Sequence, residues 1–216
     1  MKAILAGSAL AALVLAGPAW AFPDKPITII VPAAAGGPSD TVARLVAQSM
    51  GDTLGQQVLV ENLGGAGGSL GAGQAARAAP DGYTLLLYHV GVATFSALYP
   101  QLPYEPTSDF SSIGLITEVP MAIVGRKDLP AADIAGLIEA LRGGEALSFG
   151  TAGVGAVSDL CGMLLSDALG AEMVVVPYKG TGPAMTDLMG GQIDLMCDQT
   201  TNTANQIESG EVKPMR

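Results

Sequence analysis

The chain has 216 residues, enough for one large domain or two small ones, and its 20 acidic and 10 basic residues give a formal charge of −10 with no cluster of Lys and Arg. That balance argues against a nucleic-acid partner, because phosphate binding needs a concentrated basic surface. Only 14% of residues are charged and 49% are hydrophobic, which argues against disorder, while 29 bunched rather than periodic glycines, about twice average usage, exclude collagen and point to loops that hug a ligand.

Residues 1–21 have the pattern of a cleavable signal peptide: Lys2, an uncharged apolar run from Ala3 to Gly17, and the small-x-small site Ala19-Trp20-Ala21. The run is shorter than the roughly 20 residues a membrane span needs, so secretion into a periplasm is expected. Cys161 and Cys197 would then lie in an oxidising compartment. A predicted helix and a predicted strand carry them, and either a disulfide or two small buried hydrophobes fits that placement. With His89 the single histidine and no Cys-x-x-Cys pair, a structural zinc has too few ligands, and no metal or cofactor is expected.

The remaining chain alternates β-branched runs with helical periods. Strand 27–32 leads to helix 39–54, whose Val42, Leu45, Val46 and Met50 share a face; strand 57–61, helix 70–79, strand 83–89 and a helix-like piece ending near Pro100 follow. This βαβαβ order predicts a parallel, doubly wound sheet. Past a proline-broken stretch from Pro103, strands are predicted at 113–118 and 121–125. The alternation then restarts with helix 131–141, strand 146–149, helix 155–169, strand 173–176, helix 183–189, strand 193–197 and helix 203–209. Two such halves imply two α/β lobes with a cleft between them.

The chemistry of this layout sits where strands hand over to helices. The first lobe offers Ala34-Ala35-Gly36-Gly37-Pro38-Ser39-Asp40, and the second offers Gly150-Thr151-Ala152-Gly153-Val154-Gly155-Ala156. Small residues admit a ligand to the backbone, and the open amides of a helix N-terminus favour an anion. If both loops face one cleft, the ligand carries a negative group at each end, or a carboxylate and a polar group. Asp40 is either a helix-start charge or a ligand contact, and Asp198 either a loop carboxylate or a partner for a ligand amine or hydroxyl. His89 is either a structural hydrogen-bonder or a donor to a carboxylate, and Lys179 either a cleft charge or a solvated lysine.

Enzyme readings find weaker footing. Gly67-Gly68-Ser69-Leu70-Gly71 matches G-x-S-x-G, with His89 as the available base, but a nucleophile elbow needs a strand directly before its serine. Gly71, Gly73 and Ala76 imitate a dinucleotide fingerprint inside a predicted helix instead of at its start.

Ordered motifs add a resemblance. Lys25-Pro26-Ile27, the Gly36-Gly37-Pro38-Ser39-Asp40 loop, Leu54-Gly55-Gln56-Gln57-Val58, Val60-Glu61-Asn62, Gly65-Ala66-Gly67-Gly68 and Pro80-Asp81-Gly82-Tyr83-Thr84 come first. Leu102-Pro103-Tyr104-Glu105-Pro106, Val176-Pro177-Tyr178-Lys179-Gly180 and Asp187-Leu188-Met189-Gly190-Gly191 follow. Together they resemble the extracytoplasmic solute receptors of the tripartite tricarboxylate transporter family, the Bug-type receptors. The resemblance implies a two-lobed, periplasmic-binding-protein-like (type II) α/β fold with parallel-rich sheets. It also implies a small carboxylate ligand (a di- or tricarboxylate, an aromatic acid or an acidic amino acid) and delivery to a membrane permease. Ala33 and Ala35 depart from the family's usual Pro-Phe-x-Pro-Gly-Gly loop, and Asp159 stands where a histidine is frequent.

The lobes are expected at residues 22–118 and 119–211, with 212–216 opening a strand that returns to a C-terminally incomplete first lobe. The candidate site is Ala34, Ala35, Gly36, Gly37, Ser39, Asp40 and His89 from the first lobe. Thr151, Ala152, Gly153, Gly155, Ala156, Tyr178 and Asp198 complete it from the second.

Overall fold

A computed structural model describes residues 22–216, so the expected signal peptide lies outside the described residues. Strand β1 (Ile27–Val31) runs into helix α1 (Pro38–Leu54), which ends at Gly55, whose amide bonds Gly51 O at 2.9 Å. Strand β2 (Val58–Asn62), helix α2 (Ser69–Ala76) and strand β3 (Thr84–Leu86) follow, then a 3-10 turn (Val90–Thr94) and the short helix α3 (Phe95–Leu98). β1 pairs in parallel with both β2 and β3, in the order β2-β1-β3. α1 covers one face through Ala43 and Ala47 against Ile29 and Val31. On the other face, Ala72 of α2 packs with Phe95 and Tyr104. A strand covered on both sides must be largely apolar, and β1 is β-branched throughout, with Thr28, half-buried, the one polar residue among Ile27, Ile29, Ile30 and Val31.

The second sheet contains β4 (Met121–Arg126), β5 (Ser148–Thr151), β6 (Val174–Pro177), β7 (Leu195–Gln199) and β8 (Val212–Pro214). Its order is β6-β5-β7-β4-β8, so β6-β5-β7 repeats the winding of the first sheet, and β4 and β8 are added antiparallel to their neighbours. Helices α4 (Ile134–Arg142), α5 (Val157–Leu169), α6 (Thr181–Met189) and α7 (Thr200–Glu208) flank it. Gly162 lets α5 lie on β5, because a Cβ there would sit 2.6 Å from the Phe149 ring. At the opposite strand ends, Asp194 accepts from Ser148 N and Oγ at 2.8 and 2.6 Å and from Arg126 Nε at 2.9 Å, tying β4, β5 and β7 together.

Two expectations are corrected. Helix α4 starts at Ile134 instead of 131, because the Asp133 side chain accepts from Gly136 N at 2.9 Å and caps it there. Residues 113–118 form no strand: Ile113 and Leu115 are 85% and 79% exposed, and no ladder partner stands beside them among the described residues. Apolar extended backbone becomes a strand only where a neighbour pairs with it. Residues 212–214, expected to open a returning strand, form a strand that pairs with β4, Val124 facing Pro214 and Arg126 facing Val212, and Lys213 Nζ bonds Leu129 O and Ala131 O at 2.5 and 3.1 Å.

The cysteine question resolves to a disulfide. Cys161 on α5 and Cys197 on β7 are bonded with Cα atoms 6.2 Å apart, across a sequence separation of 36. Closing a loop of that length is worth about 2–4 kcal/mol. Replacing both cysteines by alanine is expected to lower the unfolding free energy by about that amount in urea titrations, and an unchanged midpoint would refute it.

Candidate functional site

The two strand-to-helix loops are built alike. Gly36 and Gly155 both adopt φ +79°, a left-handed turn that favours glycine. Gly36 N donates to Asp40 Oδ2 at 2.8 Å and Gly155 N donates to Asp159 Oδ2 at 2.9 Å. Each aspartate lies in the first turn of its helix and is buried. The sequences Gly36-Gly37-Pro38-Ser39-Asp40 and Gly155-Ala156-Val157-Ser158-Asp159 thus repeat a glycine, a serine and an aspartate at the same spacing. The clasp consumes one amide and leaves others open. Ala34 and Ser39 in the first loop, and Val157 and Ser158 in the second, have no acceptor for their N–H groups among the described residues.

These four residues face one cavity of about 50 Å³ between the lobes. Of the expected site residues, Ala34, Gly37, Ser39 and His89 line it from the first lobe, and Ala152, Ala156 and Asp198 from the second. The other seven lie behind or beside the wall. Ala35 and Gly36 form the exposed outer turn of the first loop. Asp40 spends its carboxylate on Gly36 and on Arg44 Nε at 2.9 Å, which hold its pKa below the ordinary value against the opposing effect of burial. Thr151 is fully buried, and its Oγ1 accepts from Gly153 N at 3.3 Å. Gly155 is committed to the Asp159 clasp, and Tyr178 donates its hydroxyl to Asp187 Oδ2 at 2.7 Å.

Sequence reasoning missed Ser158, Thr181, Tyr88 and the Gly64–Gly68 loop, all of which contribute to the wall. Ser158 was findable, since it occupies the place of Ser39 in the repeated motif. Tyr88 and Thr181 carried no local signal. Lys179, left open between cleft charge and solvated loop, lines the cavity with an exposed side chain.

Two ionisable groups line the cavity, His89 half-buried in the first lobe and Asp198 buried in the second. Gly91 N donates to His89 Nδ1 at 3.1 Å, and burial pushes the imidazole pKa from 6.5 down to about 4. The ring is therefore neutral at pH 7 with its proton on Nε2, a hydrogen-bond donor. Asp198 is 2% exposed, and burial pushes its carboxyl up to about 6 despite bonds from Asn202 Nδ2 and Gln199 N at 2.5 and 2.8 Å.

At several points along the seam where the lobes meet, the glycines have no room for a side chain. A Cβ on Gly67 would lie 1.9 Å from Val154 O, and one on Gly180 would lie 2.7 Å from the Ala34 methyl. Gly153 stands against Gly67 from the other side, and Tyr99 donates its hydroxyl across the seam to Val154 O at 2.6 Å. Neither enzyme reading gains support from this arrangement. Ser69 opens α2 and faces a separate groove beside Leu98 and Tyr99, away from the cavity that His89 lines. Gly71 and Gly73 pack α2 against Leu63 O and the Tyr104 ring.

Comparison with known proteins agrees with this geometry. The model of the tripartite tricarboxylate transporter family receptor matches residues 42–216. An Agrobacterium vitis protein, the "UPF0065 protein in the TAR-I ttuE-ttuC′ intergenic region", is 70% identical over 192 residues, which are 88% of this chain and 56% of that protein. Among solved structures, the periplasmic binding protein BugD is 52% identical with a TM-score of 0.86, over 89% of this chain and 65% of that one. MatC from Rhodopseudomonas palustris with bound malate is 42% identical with a TM-score of 0.85, over 90% of this chain and 67% of that one. The chain thus spans just over half the length of the Agrobacterium relative and about two thirds of the two solved chains.

His89 and Asp198 have opposite linkage to folding. The raised pKa of Asp198 withdraws stability as pH rises from about 4 to 6, while the lowered pKa of His89 withdraws it as pH falls from 6.5 to about 4. Relative to the unsubstituted chain, Asp198→Asn is expected to gain on the order of 3 kcal/mol as pH rises through this window, and His89→Gln to lose a similar amount. Urea titrations at pH 4, 5, 6 and 7 check both, and parallel profiles for the three proteins would contradict the burial of these groups.

Proposed function

The chain belongs to the tripartite tricarboxylate transporter receptor family, and from that premise we propose that it is a periplasmic receptor that closes on a small carboxylate and hands it to a membrane permease. The family and its structural neighbours are solute-binding receptors, not enzymes. The observation that carries the reading is the convergence of open amides from both lobes, at Ala34 and Ser39 and at Val157 and Ser158, on one cavity.

Magnitudes require both lobes. A helix N-terminus supplies about 0.3–1 kcal/mol, far short of the roughly 8 kcal/mol of micromolar binding. Several charge-assisted hydrogen bonds at about 1.5–3 kcal/mol each reach it. Ser39, His89 and Ser158 add side-chain donors to the amides, and Lys179 adds the one cation of the wall. Because closure brings the second set of donors to a ligand already held by the first, the ligand favours the closed state by its differential contacts. The acidic chain repels anions at long range, so capture quickens as salt screens the repulsion. Export through the expected signal peptide at residues 1–21 would place the receptor beside its permease.

Calorimetry against mono-, di-, tri- and aromatic carboxylates tests the reading: heat is expected from at least one of them, and none from the folded chain would refute it. Closure has its own test. Gly67→Ala places a methyl on Val154 O and is expected to weaken binding at least tenfold and enlarge the scattering radius with ligand present. Unchanged affinity would mean that the seam opens and closes without governing capture.

A further inference from the structure

Sorting the cavity wall by hydrogen-bond sense exposes an asymmetry. The amides of Ala34, Ser39, Val157 and Ser158, the His89 Nε2–H and the Lys179 ammonium can only donate. The Ser158 hydroxyl already accepts from Ala152 N at 2.8 Å, which leaves its proton for the cavity. Against this set stands one carboxylate, Asp198.

Its orientation is fixed. Asp198 ends β7, its Oδ1 accepts from Gln199 N and its Oδ2 from Asn202 Nδ2, one turn into α7. The Thr181 hydroxyl also donates to this carboxylate, so three of its four lone-pair positions are filled and one is left. In a carboxylate that is 98% buried and ionised at neutral pH, a position left without a donor is costly. A ligand carboxyl group alone cannot do so and would meet it as a like charge.

We propose that Asp198 reads a hydrogen-bond donor on the ligand, so that the cleft selects carboxylates bearing a hydroxyl or ammonium group beside the carboxyl over unsubstituted ones. The selection rests on the receptor reading above and deepens it. The donor-rich wall takes the carboxylate end, and Asp198 takes the hydroxyl or ammonium that projects from the neighbouring carbon. A ligand lacking that group leaves the remaining lone pair of the aspartate desolvated and unmatched, which is how sites built around a buried polar group reject the analogue without its partner.

Calorimetry with succinate and its 2-hydroxy, 2,3-dihydroxy and 2-amino forms tests this at fixed charge-group spacing. At least one substituted acid is expected to bind about 10- to 100-fold more tightly than succinate. A hydroxyl preference and an ammonium preference appear as separate arms of the series. Asp198→Asn is expected to shrink the preference at least tenfold, by weakening the amino acid and strengthening succinate, whereas Ser39→Ala weakens all four together. Succinate within threefold of every substituted form, or an unaltered preference in Asp198→Asn, overturns the inference while leaving carboxylate capture standing. No heat from these acids or from the wider carboxylate panel would overturn the receptor reading instead. If the asparagine variant fails to fold, the series on the unsubstituted chain decides alone.

Discussion

The hydrogen bond from a loop glycine to an aspartate four residues later, Gly36 to Asp40 and Gly155 to Asp159, is the constraint from which the site follows. It holds each strand-to-helix turn in a left-handed conformation and spends one N–H inward, so that neighbouring amides remain for the cavity. An acidic protein can bind an anion by this means because the field that matters is local. Oriented N–H groups act within a few ångströms, whereas the net charge is felt beyond the Debye length only weakly at physiological salt. The carboxylates of the two clasps are buried against their own loops and helices, with Arg44 beside Asp40, so they stabilise the turns without lining the cavity.

The seam between the lobes imposes the second condition. Gly67, Gly153 and Gly180 bring backbone against backbone or methyl, so at these points main-chain atoms limit the approach of the two loops, while Leu98 and Tyr99 lie against Gly155 beside them. Such a contact buries little apolar surface and gains little by itself, so on the proposed receptor reading the ligand would set the balance between open and closed forms. The Tyr99–Val154 hydrogen bond across the seam is of the modest kind that adds geometry more than energy. A receptor that closed strongly without cargo would have no signal to pass on.

Within the cavity, His89 and Asp198 illustrate how burial alone sorts roles. The same desolvation that keeps the imidazole neutral raises the carboxyl, so one lobe contributes an uncharged donor and the other an acceptor of tunable charge. Among the other polar groups of the wall, Ser39, Tyr88, Ser158, Lys179, Thr181 and Gln199, none is a carboxylate. His89 caps the 3-10 turn that follows β3, and Asp198 lies near the end of β7.

The alternation of β-branched runs and helical periods was enough to establish two α/β halves, and the bunched glycines to locate both anion loops, because periodicity and backbone permissiveness are local properties. Half of the named site residues line the cavity, and Ser158 lay within reach once the Gly-x-x-Ser-Asp repeat is aligned. Pairing was another matter. Whether residues 113–118 form a strand, which sheet takes Val212–Pro214, whether Cys161 meets Cys197, and that Tyr88 and Thr181 join the wall all depend on neighbours distant in the chain. Only the folded backbone decides such contacts, since the sequence of a segment specifies its preferred conformation but not the surface it will be pressed against.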